Sequence, residues 1–436
     1  MLSHPDLFRM RRAINPKLWL DRTVIWLAAV VAGLCVVGYV WTTEAAIAWF
    51  TAMYRAAPWS GLLVTPLGGM LVVWLTRRFA SGAAGSGIPQ VMAALSTELP
   101  SEKRSMLVSL RLSAAKVLLG TGALAAGFSA GREGPSVQIA AGIMASFHGL
   151  LKRKISVKPR DLILAGGAAG IAAAFNTPLA GIVFAIEELG KRFEERSSGL
   201  LISAIVIAGL VAISLMGNLT YFGRIQTGTI PPSFFVPVFL MAIVTGIIGG
   251  FFSRLLVSSF AQREWRLNRF RGEYPILFAG ACGLVVAIMG LLTGGATFGS
   301  GYEWSRELIS GQGEVSVFYF AVKLAATWIS FWSGIPGGIF APALAVGAGI
   351  GHDVAMLLGA VPAPIIALGM AGFLAAVTQS PITAFIIVME MIDGHTMVLS
   401  LMATALLASM ISRLISAPLY YSLALLQLQR IDTPRL

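Results

Sequence analysis

The hydrophobic pattern of this chain is one of long apolar runs cut by short polar or glycine-rich breaks, with neither the strict alternation of strands nor the narrow stripe of surface helices. Thr23 to Phe50 is the first run, interrupted only by Glu44 near its far end. It exceeds the length a bilayer core needs, so a tilted spanning helix is expected. Gly61 to Leu75 returns and is closed by Arg77 and Arg78. From Ser81-Gly82-Ala83-Ala84-Gly85-Ser86-Gly87-Ile88-Pro89 to the next basic pair, Lys103 and Arg104, there are only about fifteen residues, too few to cross. With both pairs on one side, this segment dips in and comes back. Met106 to Leu151 is long enough to cross out and return, ending in Lys152, Arg153, Lys154, Lys158 and Arg160. Leu162 to Leu189 lies between that cluster and another, Lys191, Arg192 and Arg196. The break at Phe175-Asn176-Thr177-Pro178 predicts two half-helices there rather than one crossing. Leu200 to Met216 crosses outward, and Phe234 to Phe252 comes back to Arg254, Arg263, Arg266, Arg269 and Arg271.

Composition sharpens this picture. The chain is 56% hydrophobic and 12% charged, with a mean hydropathy of +0.80, which no soluble globular domain shows. Its 48 glycines suit close helix packing and broken helices. The net charge of +12 is explained by basic loops on the cytoplasmic side, where 22 of the 32 Lys and Arg residues fall, rather than by nucleic acid. Cys35 and Cys282 sit in separate apolar runs and support neither a disulfide framework nor a metal site. The N-terminus is polar and basic, so no cleavable signal peptide is expected. The expected partners are the lipid bilayer and small ions, in the inner (plasma) membrane, with both termini cytoplasmic.

The chemistry concentrates at Ala130-Gly131-Arg132-Glu133-Gly134-Pro135-Ser136-Val137, inside a membrane run. An ionisable side chain there costs roughly 3 kcal/mol on insertion scales and marks function. Pro135 suits the first turn of a helix, so a helix begins at mid-membrane with free N–H groups and a positive dipole end at the break. That is an anion site, and Glu133 is a tethered, removable anion beside it.

The second half echoes the first. Gly299-Ser300-Gly301 follows Gly85-Ser86-Gly87 by 214 positions, and Pro342 in Gly337-Gly338-Ile339-Phe340-Ala341-Pro342 follows Pro135 by 207. Ala173 to Glu188 matches Ala375 to Met391, with Pro178 and Pro381, and Glu187 and Glu390, both 203 apart. This is an internal duplication. The extra return crossing at Phe234 to Phe252 sets the halves in opposite orientations, a transporter architecture with its site at the repeat interface. The expected fold is an all-α polytopic membrane protein of two inverted repeats of tilted and broken, re-entrant helices. Its expected divisions are a cytoplasmic N-terminal segment (1–22), a first repeat (23–217), a loop (218–232), a second repeat (233–424) and a cytoplasmic tail (425–436).

Taken singly, several residues stay open. Ser86 reads as a helix N-cap, Tyr420 as an interfacial aromatic, and Glu187-Glu188 as a solvated pair at a helix end. Arg132 reads as pairing or capping locally, and Lys116 and Lys323 as buried structural cations that raise the local potential. His148 and His352 read as packing residues near span ends, and Gly347-Ala348-Gly349-Ile350-Gly351 as close packing. A cation-coupled solute symporter would call for further mid-span acids. An intramembrane enzyme would call for a nucleophile with a base, or a metal cluster; neither pattern is present, so no enzyme, cofactor or metal is expected.

Five stretches together resemble the CLC family of chloride channels and proton-coupled chloride transporters. They are Gly85-Ser86-Gly87-Ile88-Pro89, Gly131-Arg132-Glu133-Gly134-Pro135, Asn176-Thr177-Pro178-Leu179-Ala180-Gly181, Gly337-Gly338-Ile339-Phe340-Ala341-Pro342 and Pro418-Leu419-Tyr420, in the family's order over nearly the whole chain. The resemblance implies a homodimer with one pore per subunit. It implies that Ser86 and Tyr420 hold chloride with their hydroxyls, and Ile339 and Phe340 with their backbone N–H groups. Glu133 is then the gate and outer proton carrier, and Glu188 the inner proton acceptor that the family's exchangers carry and its channels usually lack. Glu187 is read as structural, because its repeat mate Glu390 lies in the half without a proton path. The serine at 86 goes with chloride in the family, where a proline goes with nitrate. The resemblance therefore implies a chloride/proton antiporter, with a passive chloride channel or a nitrate or fluoride carrier as the alternative. Gln90 departs from the family, where an acid is common. The chain ends sixteen residues after Tyr420, so the family's cytoplasmic nucleotide-binding (CBS) domains are not expected.

Overall fold

The structure is a computed structural model that describes residues 16–96, 99–150, 157–190, 198–217, 220–225, 234–261, 264–312 and 318–432. Several sequence expectations lie outside the described residues: residues 1–15 of the N-terminal segment, the basic residues Lys152, Arg153, Lys154, Lys191, Arg192, Arg196 and Arg263, most of the 218–232 loop, and residues 433–436 of the tail.

The apolar runs become helices in the order expected. The first half contains α1 (Pro16–Ala56), α2 (Gly61–Phe79), α3 (Ile88–Ala94), α4 (Ser101–Arg104), α5 (Leu110–Ala125), α6 (Glu133–Leu150), α7 (Pro159–Phe175), α8 (Pro178–Phe184) and α9 (Ser198–Met216). The second contains α10 (Phe235–Ala261), α11 (Arg266–Glu273), α12 (Pro275–Leu292), α13 (Tyr302–Ser310), α14 (Tyr319–Trp332), α15 (Phe340–Leu358), α16 (Pro362–Thr378), α17 (Pro381–Ile392), α18 (Val398–Ile415) and α19 (Leu419–Asp432). Among the described residues seven helical stretches are long and apolar enough to cross a bilayer. At 1.5 Å per residue α1 is about 60 Å long, twice a bilayer's hydrocarbon core, so it must tilt or extend past it.

The core is built on two helix pairs, α6 with α7 and α15 with α16, which make the most extensive pairings in the molecule. From Leu162 to Phe175 every α7 residue is buried, as is every α16 residue from Ile365 to Thr378. A helix apolar all round is stable only when enclosed. Small residues let these backbones touch. A Cβ on Gly170 would lie 2.5 Å from the Ser136 carbonyl, and one on Gly347 would strike the backbone of Gly369. The Gly347–Gly351 run is thus close packing.

Inversion is written in the backbone. Gly131 and Gly338 are repeat mates, and each donates its N–H to the other's carbonyl, both at 2.7 Å. Such an exchange is locally two-fold symmetric, as inverted halves require. The ends of α7 and α16 obey the same relation. Asn176 (φ 58°) and Gln379 (φ 60°) close them in the left-handed region, and their amides donate to Gly217 and Ser416 carbonyls, both at 2.9 Å. The break at Phe175-Asn176-Thr177-Pro178 therefore separates two helices, α7 and α8.

Candidate anion site

Three glycine-rich breaks are stitched together by their backbones. The Gly85 N–H donates to the Ile335 carbonyl and the Gly337 N–H to the Gly85 carbonyl, both at 3.1 Å. The Gly131–Gly338 pair adds the third break. The N-termini of α3, α6 and α15 thereby converge, and first-turn N–H groups have no acceptor within their own helices. Only glycine serves at 87: its φ is 111°, and a Cβ there would lie 2.7 Å from the Gly134 carbonyl.

Ser86 and Tyr420 are both fully buried, and among the described residues neither hydroxyl has a hydrogen-bond partner. Unsatisfied buried hydroxyls cost on the order of 1–3 kcal/mol each, so a pair of them marks a place built for a ligand. The Tyr420 ring stacks on Phe340, with centroids 5.8 Å apart and planes 15° from parallel. Phe340 is the first residue of α15 and Ile339 its N-cap. Ser86, Tyr420, Ile339 and Phe340 are thus brought together around the mouth of one helix. The adjacent Tyr421 is 47% exposed.

Glu133 is the first residue of α6, so the helix begins two residues before Pro135. Its side chain is fully buried and turned toward the opposite repeat. One carboxylate oxygen accepts from the Ala341 N–H in the first turn of α15 at 3.4 Å. The other accepts from the Tyr302 hydroxyl at 2.7 Å. A carboxylate therefore rests where the α15 dipole favours negative charge.

Farther along, Glu188 lies in a π-helical turn, Ala185–Leu189, that ends the α8 segment. Such turns recur at functional sites because they re-aim side chains. The Ser380 hydroxyl donates to the Glu188 carboxylate. The Glu187 carboxylate accepts from the Ile382 N–H at 3.1 Å and the Thr383 N–H at 2.7 Å, capping α17. Its mate Glu390 accepts from Leu179 and Ala180 N–H groups at 3.4 and 2.9 Å, capping α8. The adjacent acids thus differ in kind: backbone N–H groups of α17 fix Glu187, whereas the Ser380 side chain bonds Glu188.

The Ser86 loop is braced by groups whose use was only partly legible. Lys116 is fully buried and donates to the Ala83 and Gly85 carbonyls at 2.8 and 2.6 Å. Its mate Lys323 donates to Thr297 and Gly299 carbonyls, both at 2.9 Å, so each lysine clamps the glycine loop of its own repeat. Gln90 accepts from the Gly87 N–H at 3.0 Å and donates to the Ala84 carbonyl at 2.5 Å. A carboxylate could make only the first bond, which gives the departure at this position a physical reason.

Arg132 corrects the expectation of a local partner. Its guanidinium donates to Glu44 on α1 at 2.8 Å and to the Tyr221 hydroxyl at 2.6 Å, and lies over the rings of Tyr221 and Tyr302. Sequence reading missed Tyr302 and Tyr221. The signal for Tyr302 was its place directly after Gly299-Ser300-Gly301, where the first repeat has Ile88. On another face, a cavity of about 1140 Å³ reaches Ser81, Gly82 and Ala84 and is lined by Arg77, Arg269, Arg271 and Arg430. Glu273 is the acidic residue in that lining.

This arrangement defines a polytopic helical membrane protein in which helix N-termini, buried hydroxyls and a buried carboxylate meet where the repeats join. Residues 68–413 match the family described as voltage gated chloride channel, and the chain belongs to that family. It is 30% identical to the H(+)/Cl(-) exchange transporter ClcA of Citrobacter koseri, over 98% of this chain and 94% of that one. Identity is 29% to the protein of the same name from Salmonella typhimurium, over 97% and 93%. The solved structure of a slow cyanobacterial Cl-/H+ antiporter superposes with a TM-score of 0.84 at 25% identity, covering 97% of this chain and all of that one. A CLC-type fluoride/proton antiporter shares the fold, with a TM-score of 0.76 at 22% identity over 93% and 98%.

Proposed function

We propose that the protein exchanges chloride for protons across the membrane, with Glu133 as gate and outer proton carrier and Glu188 as inner proton acceptor. The observation that carries this reading is the seat of Glu133 at the first turn of α15, with a carboxylate oxygen 3.4 Å from the Ala341 N–H. Ionised, Glu133 competes with an anion for that field; protonated, it has no reason to stay. One side chain thereby links proton occupancy to anion occupancy. Ser86, Tyr420 and the backbone N–H groups of Ile339 and Phe340 hold the central chloride, without a lysine ammonium beside the ion to trap it. The ClcA relatives and the cyanobacterial antiporter support chloride and protons as the transported pair.

Residues 23–217 and 233–424 are the two repeats. The arginine-lined cavity opens on the cytoplasmic side, and the basic loops place both termini there. The protein works in the inner membrane as a homodimer with one pathway per subunit, and performs transport rather than chemical conversion.

The test is proton movement in liposomes carrying the purified protein, under a chloride gradient with no pH gradient. Protons driven uphill by chloride are expected. Chloride flux without proton movement would make the protein a passive channel and return Glu188 to a structural role.

A further inference from the structure

We infer that Tyr302 is the positioning residue for Glu133: its hydroxyl latches the carboxylate at the mouth of α15 and sets how readily an anion displaces it. The inference rests on the gate reading above and adds a residue from the opposite repeat. The latch itself is the 2.7 Å hydrogen bond from the Tyr302 hydroxyl to Glu133. It is shorter than the 3.4 Å bond that the carboxylate accepts from the Ala341 N–H. A hydroxyl donating to an ionised acceptor makes a stronger bond than one between neutral groups. A protonated carboxyl makes a poorer acceptor, so the latch favours the seated, ionised gate.

The surroundings keep Tyr302 in place. It opens α13 behind Gly301, whose φ of 86° and lack of a Cβ let the loop pass against Ala345 and Lys323. Lys323 ties down the carbonyls of Thr297 and Gly299 just before it. The ring is packed by Tyr221 at 5.2 Å and Phe222 at 5.6 Å between centroids, and the Arg132 guanidinium lies 5.5 Å from its centre. Arg132 in turn is held by Glu44. The hydroxyl is thus aimed before any ion arrives. The duplication shows what was gained. Ile88, the equivalent residue after the Ser86 loop, is fully buried and has no polar group to offer. The first repeat's loop presents a serine to the ion, and the second repeat's loop presents a tyrosine to the ion's competitor.

The experiment is a four-protein cycle read by calorimetric titration with chloride: wild type, Tyr302→Phe, Glu133→Ala and the double variant. Phenylalanine keeps the ring and its packing and removes only the donor. Loss of a hydrogen bond to a charged group is worth on the order of tenfold in an equilibrium constant, so Tyr302→Phe is expected to bind chloride about tenfold more tightly than wild type. In the Glu133→Ala background, with no carboxylate to latch, the same substitution is expected to bring no gain in affinity. An equal gain in both backgrounds, or none with Glu133 present, overturns the latch. If none of the four binds chloride, the chloride reading itself falls and the latch with it. Should Tyr302→Phe not fold, the unmodified protein decides. Its chloride-induced infrared difference spectrum must show a tyrosine C–O band moving together with the Glu133 carboxylate bands, and a carboxylate change with no tyrosine change overturns the inference.

Discussion

Glu187 and Glu390, repeat mates 203 positions apart, each cap the helix that belongs to the other repeat: Glu187 takes the first-turn N–H groups of α17, and Glu390 those of α8. The exchange joins the halves by charge-assisted hydrogen bonds at symmetry-related places. It also separates Glu187 from its neighbour, because a carboxylate already holding two backbone donors is a poor proton relay.

Glu187→Gln and Glu390→Gln should therefore behave alike. Each replaces a charged cap with a neutral amide, at a cost of about 1–2 kcal/mol. Thermal unfolding in detergent should show similar losses for both, while the folded fraction still couples chloride to protons. Loss of coupling in Glu187→Gln at unchanged stability would make it a proton relay instead of a cap.

Lys116→Met should both destabilise the protein and weaken anion binding. The lysine is the donor to two buried carbonyls at 2.8 and 2.6 Å, and leaving them unsatisfied costs on the order of 1–3 kcal/mol each. Because those carbonyls belong to the loop that carries Ser86, chloride affinity should fall along with the unfolding temperature. A variant of unchanged stability would mean that the loop holds its shape without the clamp.

How much of this was legible follows from where each signal resides. Helix breaks, the duplication and the place of Glu133 are local: proline, glycine and an acid inside apolar runs announce themselves in sequence. The partner of Arg132 is not local, since Glu44 lies 88 positions away on α1, and a guanidinium in sequence does not say which remote carboxylate it meets. Tyr302 carried a weak signal, a polar aromatic where its mate is Ile88, which gained meaning only once α13 was seen to face Glu133. The different readings of Glu187 and Glu188 came from the resemblance, but their hydrogen-bond partners needed coordinates, because Ser380, Ile382 and Thr383 lie in the opposite repeat.

Tyr420→Phe isolates the hydroxyl contribution to the ion. The ring would stay stacked on Phe340, so the fold should be unaffected. Removing an unpartnered buried hydroxyl even relieves a small desolvation cost in the empty protein. Chloride affinity by calorimetry should drop about fivefold, the worth of one hydrogen bond of roughly 1 kcal/mol. Unchanged affinity would place the ion away from Tyr420.

Glu188→Gln should pass chloride without protons. The amide keeps the size of the side chain and can still accept from Ser380, so the π turn and its packing survive. What it cannot do is take up and release a proton. In chloride-loaded liposomes, anion flux should continue while uphill proton movement disappears. Wild-type coupling in this variant would require the inner acceptor to be sought elsewhere.

Glu133→Ala tests the other end, and its outcome should differ in kind. Removing the carboxylate takes away both the proton carrier and the competitor at the first turn of α15, so chloride should bind more tightly and no longer be expelled by the gate. Flux should persist and lose its dependence on pH, because no group that titrates between the anion and the outer solution remains at that seat. Glu188→Gln, by contrast, leaves the competitor in place, so its chloride flux should still vary with external pH. The pair of profiles, pH-independent for Glu133→Ala and pH-dependent for Glu188→Gln, assigns outer and inner roles without reference to any relative. If Glu133→Ala still pumped protons, the carboxylate at the mouth of α15 would be a structural anion, and the coupling would have to pass by another route.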